Sequence, residues 1–230
     1  MIPVSERLEK VLSMVPPCHT AADIGTDHGY VPAFLAMSGR CEHVIASDIA
    51  EGPCTAARET QIRYGLQGVM DVRMAAGLQG LAAGEAQAVV IAGMGGATIL
   101  GILAERPDIT QTVDIFVLQS MNATGLLRQW LTEHCFMIAD EVLCKENGHM
   151  YVVMKAVHAE HRHSLSEIEL EIGPCLLQKK PVLLQEYIAD RINRYRYLLT
   201  QMDASETARR SEKYKRVQNL LELLEAMHPA

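Results

Sequence analysis

Ala22-Asp23-Ile24-Gly25-Thr26-Asp27-His28-Gly29-Tyr30 is the stretch whose reading decides the fold. The apolar run TAADIG, at 20–25, leads into it, and residues 30–38 lead away, closed by Gly39. The first reads as a short buried strand and the second as a helix. Gly25 and Gly29 permit a tight turn between them and let a ligand approach the backbone closely. The next apolar run, HVIASDI at 43–49, reads as a second strand and carries Asp48 near its end. An acid there can accept hydrogen bonds from both ribose hydroxyls of a nucleoside cofactor.

The alternation continues outward from that unit. A helix over 5–15 precedes it, with Leu8, Val11, Leu12 and Val15 on one face, and Pro16-Pro17 stop it. After the second strand a helix runs from about Pro53 to Tyr64, because proline suits a first helical turn. VMDVRMA (69–75), AVVIAGM (88–94) and IFVLQS (115–120) are three further strands. Helices follow the last two, over 97–103 and from Asn122 to about His134, the second with Asn122 as a candidate cap. FMIADEVLCKE and HMYVVMKAV then flank Asn147-Gly148, a strong hairpin signal. Five strand–helix units ending in an antiparallel pair predict a mostly parallel sheet covered on both faces. Strand order is not visible at this level.

From about residue 164 the period changes. Leu184, Ile188, Tyr195, Leu198 and Met202 recur at helical spacing, as do Tyr214, Val217, Leu221, Leu224 and Met227. Ser205 lies between the runs as a candidate cap for the second. The pattern predicts a coiled-coil-like hairpin of two long antiparallel helices. Residues 1–160 and 161–230 are thus expected to form separate domains.

Of the 230 residues, 49% are apolar, which suits a buried core and excludes a disordered chain. No apolar stretch reaches the roughly 20 residues of a membrane span. The N-terminus lacks the pattern of a secretory signal. Six cysteines include no C-x-x-C pair, as expected of reduced thiols in a cytoplasmic protein. His158, His161 and His163 read as a polar linker, and no metal site is expected. Net charge is −7, but it is unevenly spread. Residues 1–159 carry ten Lys/Arg against seventeen Asp/Glu, whereas 160–230 carry eleven of each. The helical segment is therefore the better platform for a polyanion, with Lys179, Lys180, Arg191, Arg194, Arg196, Arg209, Arg210, Lys213, Lys215 and Arg216.

The turn also discriminates between cofactors. A dinucleotide fingerprint places a glycine where this chain has Asp27. A carboxylate there would repel a pyrophosphate but suits the positive sulfonium of S-adenosylmethionine. Asp27 can equally be a helix N-cap, a common place for aspartate. His28 beside it reads as a packing or hydrogen-bonding residue. Gly93, Met94, Gly95 and Gly96, after the fourth strand, leave room for a flat base or form a structural turn. Gln119, Ser120 and Asn122, after the fifth, can face the same crevice.

ADIGTDHGY (22–30), Asp48-Ile49 with Gly52-Pro53, IAGMGG (91–96), and Leu118-Gln119-Ser120-Met121 followed by RQWL (128–131) occur in that order. Together they resemble the bacterial tRNA (adenine-22-N1)-methyltransferase family over essentially the whole chain. The resemblance implies a Rossmann-like, seven-stranded class I sheet with a terminal antiparallel hairpin and a C-terminal helical hairpin. It implies methyl transfer from S-adenosylmethionine to N1 of adenine 22 in the D-arm of tRNA. Asp27 would be the catalytic aspartate. Asp23, Gly25, Thr26, His28, Gly29, Tyr30, Asp48, Ile49, Gly93 and Met94 would bind the donor. Gly95, Gly96, Gln119, Ser120 and Asn122 would meet the substrate base, and Lys179, Lys180, Arg209 and Arg210 the tRNA.

Two positions depart from the family pattern. Ala76 stands where an aspartate usually contacts the donor's adenine amino group, and Ser120 where a proline usually follows Gln119. The chain is expected to be a monomer or weak homodimer. Two other readings remain at this level: a small-molecule methyltransferase whose hairpin serves dimerisation, and a non-catalytic nucleotide-binding scaffold.

Overall fold

The computed structural model describes residues 2–228. The chain divides after Ser164 into two compact units, four residues later than the boundary expected from sequence.

The first unit begins with α1 (Glu6–Met14), capped by the Ser5 hydroxyl, which accepts from the Leu8 N–H. It continues through β1 (Cys18–Ile24), α2 (Tyr30–Met37), β2 (Cys41–Asp48), α3 (Glu51–Arg63) and β3 (Met70–Met74). A 3₁₀ turn (Gly77–Gly80), β4 (Ala88–Met94), α4 (Gly96–Glu105), α5 (Pro107–Thr110), β5 (Ile115–Ser120) and α6 (Thr124–Glu133) follow. The unit closes with β6 (Phe136–Glu146) and β7 (His149–His158). The short α5 is an addition to the expected elements; Pro107 starts it at a position where a missing N–H costs nothing.

The seven strands form one sheet in the order β3-β2-β1-β4-β5-β7-β6. β1 to β5 pair in parallel, and β7 runs antiparallel to both β5 and β6. Asn147 (φ 51°) and Gly148 (φ 78°) are both left-handed, so the chain reverses in the manner that Asn-Gly favours. On one face of the sheet, Val11 and Leu12 of α1, Val31 and Leu35 of α2 and Ala57 of α3 share a core with Ala21, Val44, Ala46, Val90 and Val117. The intervening strand residues Ala22, Ile45, Ile91 and Leu118 are equally buried and, by strand alternation, face the other side. That side carries α4 and α6, which pack on each other.

The crossover from β3 to β4 places β1 beside β4. In such sheets the ligand crevice opens outside the carboxyl ends of the strands, where the order reverses.

In the second unit the expected long helices are α9 (Leu184–Asp203) and α11 (Glu212–Met227), which pack on each other. Ion pairing of Arg196 with Glu225, at 2.6 Å, and the Tyr214 hydroxyl donating to Asp203, at 2.9 Å, set them antiparallel. Leu184, Tyr187, Ile188 and Ile192 of α9 and Val217, Leu220 and Leu224 of α11 are buried. Three short helices add to the expected pair: α7 (Glu167–Ile172), α8 (Pro174–Lys179) and α10 (Glu206–Arg209). Ser205 therefore caps α10 and not the second long helix, whose cap is Ser211. Among the described residues no helix is long and apolar enough to cross a membrane.

Candidate active site at the carboxyl ends of the strands

Local backbone geometry builds the turn after β1. Gly25 is left-handed, at φ 80°, and the N–H groups of Gly25 and Thr26 donate to the Ser47 carbonyl at 2.7 and 3.0 Å. The turn is thereby tied to the end of β2. The N-cap of α2 is Gly29, at φ 68°, where an added Cβ would stand 3.1 Å from the Ala57 Cα. Asp27 is therefore not the cap, which removes the structural alternative for it. Its side chain is 81% exposed, and its carboxylate lies 3.4 Å from His28 Nε2. The His28 ring stacks on Tyr30 with centroids 5.3 Å apart, so this histidine packs on the rim of the turn.

Beneath the turn, polarity is buried. Burial pushes the Asp23 carboxyl up to about 6, with Thr26 opposing the rise and Asp48 adding to it. The hydroxyls of Thr26 and Ser47 are buried there. Asp48 Oδ1 accepts from the Ala50 N–H at 2.8 Å, and its other oxygen has no partner among the described residues. Ile49 is 73% exposed beside it, and Met74, the ladder partner of Asp48, is exposed as well. Ala76 precedes the 3₁₀ turn and adds no polar side-chain atom there.

The β4 end differs from the expectation. A bulge between Ala92 and Met94 leaves Gly93 at φ 79°. Met94 lies so close to Gly25 that a Cβ at Gly25 would collide with its methyl group, so the two glycine turns meet. Gly96, expected beside the substrate, is buried. Its N–H donates to Asn122 Oδ1 at 3.1 Å, and a Cβ there would stand 2.7 Å from the Asn122 carbonyl. Asn122 accordingly caps α4 across the crevice, not its own helix, which begins after a left-handed Ala123.

Gln119 and Ser120, expected to meet the substrate base, are both buried. Gln119 is fully buried: its Oε1 accepts from Gly93 N–H at 3.1 Å and from Arg7 Nη1 at 2.6 Å, and its Nε2 donates to the Ser120 carbonyl. The Ser120 hydroxyl pairs with Thr124 at 3.2 Å. These polar groups organise the bulge at the end of β4. Arg7 is a site-supporting residue that sequence reasoning missed. It is held by Glu146 at 3.3 Å and lies over the Tyr151 ring, so α1 braces the end of β4 through one guanidinium. Its position on the solvent edge of an amphipathic helix left no signal.

The chain is similar to known proteins along nearly its whole length. The methyltransferase-domain family model matches residues 4–154. The tRNA (adenine(22)-N(1))-methyltransferase of Bacillus subtilis is 30% identical over 226 residues, covering 96% of this chain and 95% of the relative. The chain belongs to the bacterial tRNA (adenine-22-N1)-methyltransferase family. The family's B. subtilis crystal structure, the m1A22 tRNA methyltransferase TrmK, superimposes with a TM-score of 0.88 at 28% identity, covering 100% of both chains. The Mycoplasma capricolum TrmK structure, in complex with S-adenosylhomocysteine, gives 0.82 at 26% identity and 97% of both chains. The family sheet, its terminal hairpin and its C-terminal helical region are thus all present in this chain.

Proposed function

We propose that this chain transfers the methyl group of S-adenosylmethionine to N1 of adenine 22 in the D-arm of tRNA, in the cytoplasm. The observation that carries the reading is Asp27, an exposed carboxylate in the first turn whose capping role belongs to Gly29. S-adenosylmethionine, when bound, supplies an electrophilic methyl group on a positive sulfonium. The residues present fit it. The open oxygen of Asp48 is available to the ribose hydroxyls. Ile49 and Met74 offer apolar surface to a flat base. Asp23, once ionised, suits the donor's ammonium group. Adenine N1 is a weak nucleophile whose ring gains positive charge as it is methylated. The base must leave its stack and be aligned, which is largely positioning. Asp27 then stabilises the growing charge or accepts a proton from the exocyclic amino group.

Asp23 makes the reading testable by pH. Its raised value means that its protonation favours the free fold. That contribution is full below the ordinary aspartate value of 3.8 and is lost as pH rises through about 6. An ammonium placed against it reverses the preference, because binding then requires the ionised form. Affinity for S-adenosylhomocysteine is therefore expected to be flat above about pH 7. It should fall toward tenfold per unit well below about 6. Calorimetry from pH 5 to 8 reads this; a flat profile across that range removes Asp23 from the ammonium.

The helical unit is proposed as the tRNA platform. Arg191, Arg196, Arg210, Lys215 and Arg216 are each paired with a glutamate. Lys180, Arg194, Arg209 and Lys213 form no ion pair among the described residues, so they carry more of the available charge. Changing these four to glutamate should lower the slope of log affinity against log salt by about 0.7–0.9 for each phosphate that is no longer neutralised. Donor affinity should stay unchanged. An unaltered slope would assign the hairpin to self-association.

The direct test is incubation with bulk tRNA and labelled donor, followed by mapping of the modified nucleoside. 1-Methyladenosine at position 22 is expected. Label confined to small molecules, or to another position, overturns the reading.

A further inference from the structure

Two thiols meet at the edge of the sheet opposite the crevice. Cys18 opens β1 and Cys41 opens β2, and the two are Cα partners in the parallel ladder. Their sulfurs are 3.5 Å apart. Cys18 is half-buried, and Cys41 is 3% exposed behind it. We propose that this pair is an oxidation site, at which a peroxide converts the two thiols into an intramolecular Cys18–Cys41 disulfide. The inference does not depend on the reading of the crevice.

Geometry favours the bond. Neighbouring strands lie about 4.7–4.9 Å apart, inside the window of about 4.4–6.8 Å that Cα atoms need for a disulfide. The sulfurs must close to about 2.05 Å, which side-chain rotation supplies without a change of register. Acidity favours it too. The hydrogen bond between the sulfurs lowers the Cys41 thiol, against the opposing effect of burial and with Arg40 adding to it, while the same bond raises Cys18. Cys41 is therefore the readier of the two to form the thiolate, the nucleophilic form.

The step balances without any group from the protein. One thiolate attacks a peroxide oxygen, the O–O bond breaks, and hydroxide leaves to take up the proton that thiol has lost. The second sulfur then attacks the sulfenic sulfur, and its proton departs with the hydroxyl as water. Two thiols and one hydrogen peroxide become one disulfide and two waters, whichever sulfur reacts first. The closed loop holds β1, the turn with Asp27, and α2. Because the cross-link joins the amino ends of the strands, the carboxyl ends that hold Asp23 and Asp48 keep their positions.

The test treats the full-length protein with hydrogen peroxide, quenches with an alkylating agent under denaturing conditions, and maps the peptides. Expected are a Cys18–Cys41 cross-linked peptide that is two hydrogen masses lighter, recovery of both thiols with dithiothreitol, and donor affinity within about twofold of the reduced form. In Cys18→Ser and in Cys41→Ser the cross-link should vanish, and the remaining sulfur should be trapped as sulfenic acid by a dione probe. Full alkylation of both cysteines after oxidation overturns the proposal. So does direct passage of Cys18 to sulfinic acid with Cys41 still reduced.

Discussion

Asp27→Asn is expected to slow single-turnover methylation of tRNA by about a hundred- to a thousandfold, the usual effect of deleting one electrostatic partner of a developing charge. Asparagine keeps the size and some hydrogen bonding and removes the negative charge. Were Asp27 a cap, asparagine would serve as well as aspartate. The left-handed Gly29 occupies that position, so the fold places no such duty on Asp27. The melting temperature should therefore not move, and binding of S-adenosylhomocysteine should persist. Saturating donor and enzyme isolate the methylation step from tRNA binding and product release. A rate within about threefold of the natural protein would remove Asp27 from the chemistry.

Glu141→Ala should be the most destabilising single change in the first unit, costing about 3–5 kcal/mol. Arg128 of α6 and Glu141 of β6 are paired at 2.8 Å, and both side chains are wholly buried. Removing one partner takes away a charge that the other, wholly buried, is paired with. Replacing both, as Arg128→Met with Glu141→Leu, should recover much of the loss, because a well-packed apolar pair avoids the desolvation of two charges. Chemical denaturation reads the difference. The chain's one tryptophan, Trp130, sits two residues after Arg128 on the same helix and reports directly on that region. A loss below about 1 kcal/mol for Glu141→Ala would show that the pair is solvated or replaced by other interactions.

Nothing in the sequence pairs these two residues. Arg128 lies in a helix that follows the fifth strand, and Glu141 in a strand recognised by its apolar neighbours. Their meeting depends on how α6 docks on β6. Gln119 shows the same dependence at the site itself. Its place after a strand suggests a side chain open to substrate, yet Arg7 turns it inward from 112 residues away. The position of Asn122 suits a cap for the helix that follows it, yet the residue caps α4. Each difference has one origin: a polar side chain at a strand end has several partners within reach, and tertiary packing selects among them.

The sequence by itself determined what local chemistry controls. Glycines at 25 and 29 require a turn because only glycine takes left-handed backbone freely. Asn147-Gly148 dictates the hairpin for the same reason. Apolar periodicity separates the strand–helix units from the helical unit, because burial follows the repeat of each element. The order of motifs along the chain was enough to recognise the family. Only the tertiary structure decided the strand order, which brings β1 against β4 across a crossover, and with it the meeting of Gly25 and Met94. It also decided that Asp27 is released from capping, that Gln119 is buried beneath Arg7, and that Cys18 lies against Cys41. Pairing between distant segments is settled by the packing of the whole core. A residue's spacing from its neighbours along the chain carries no record of what it will meet there.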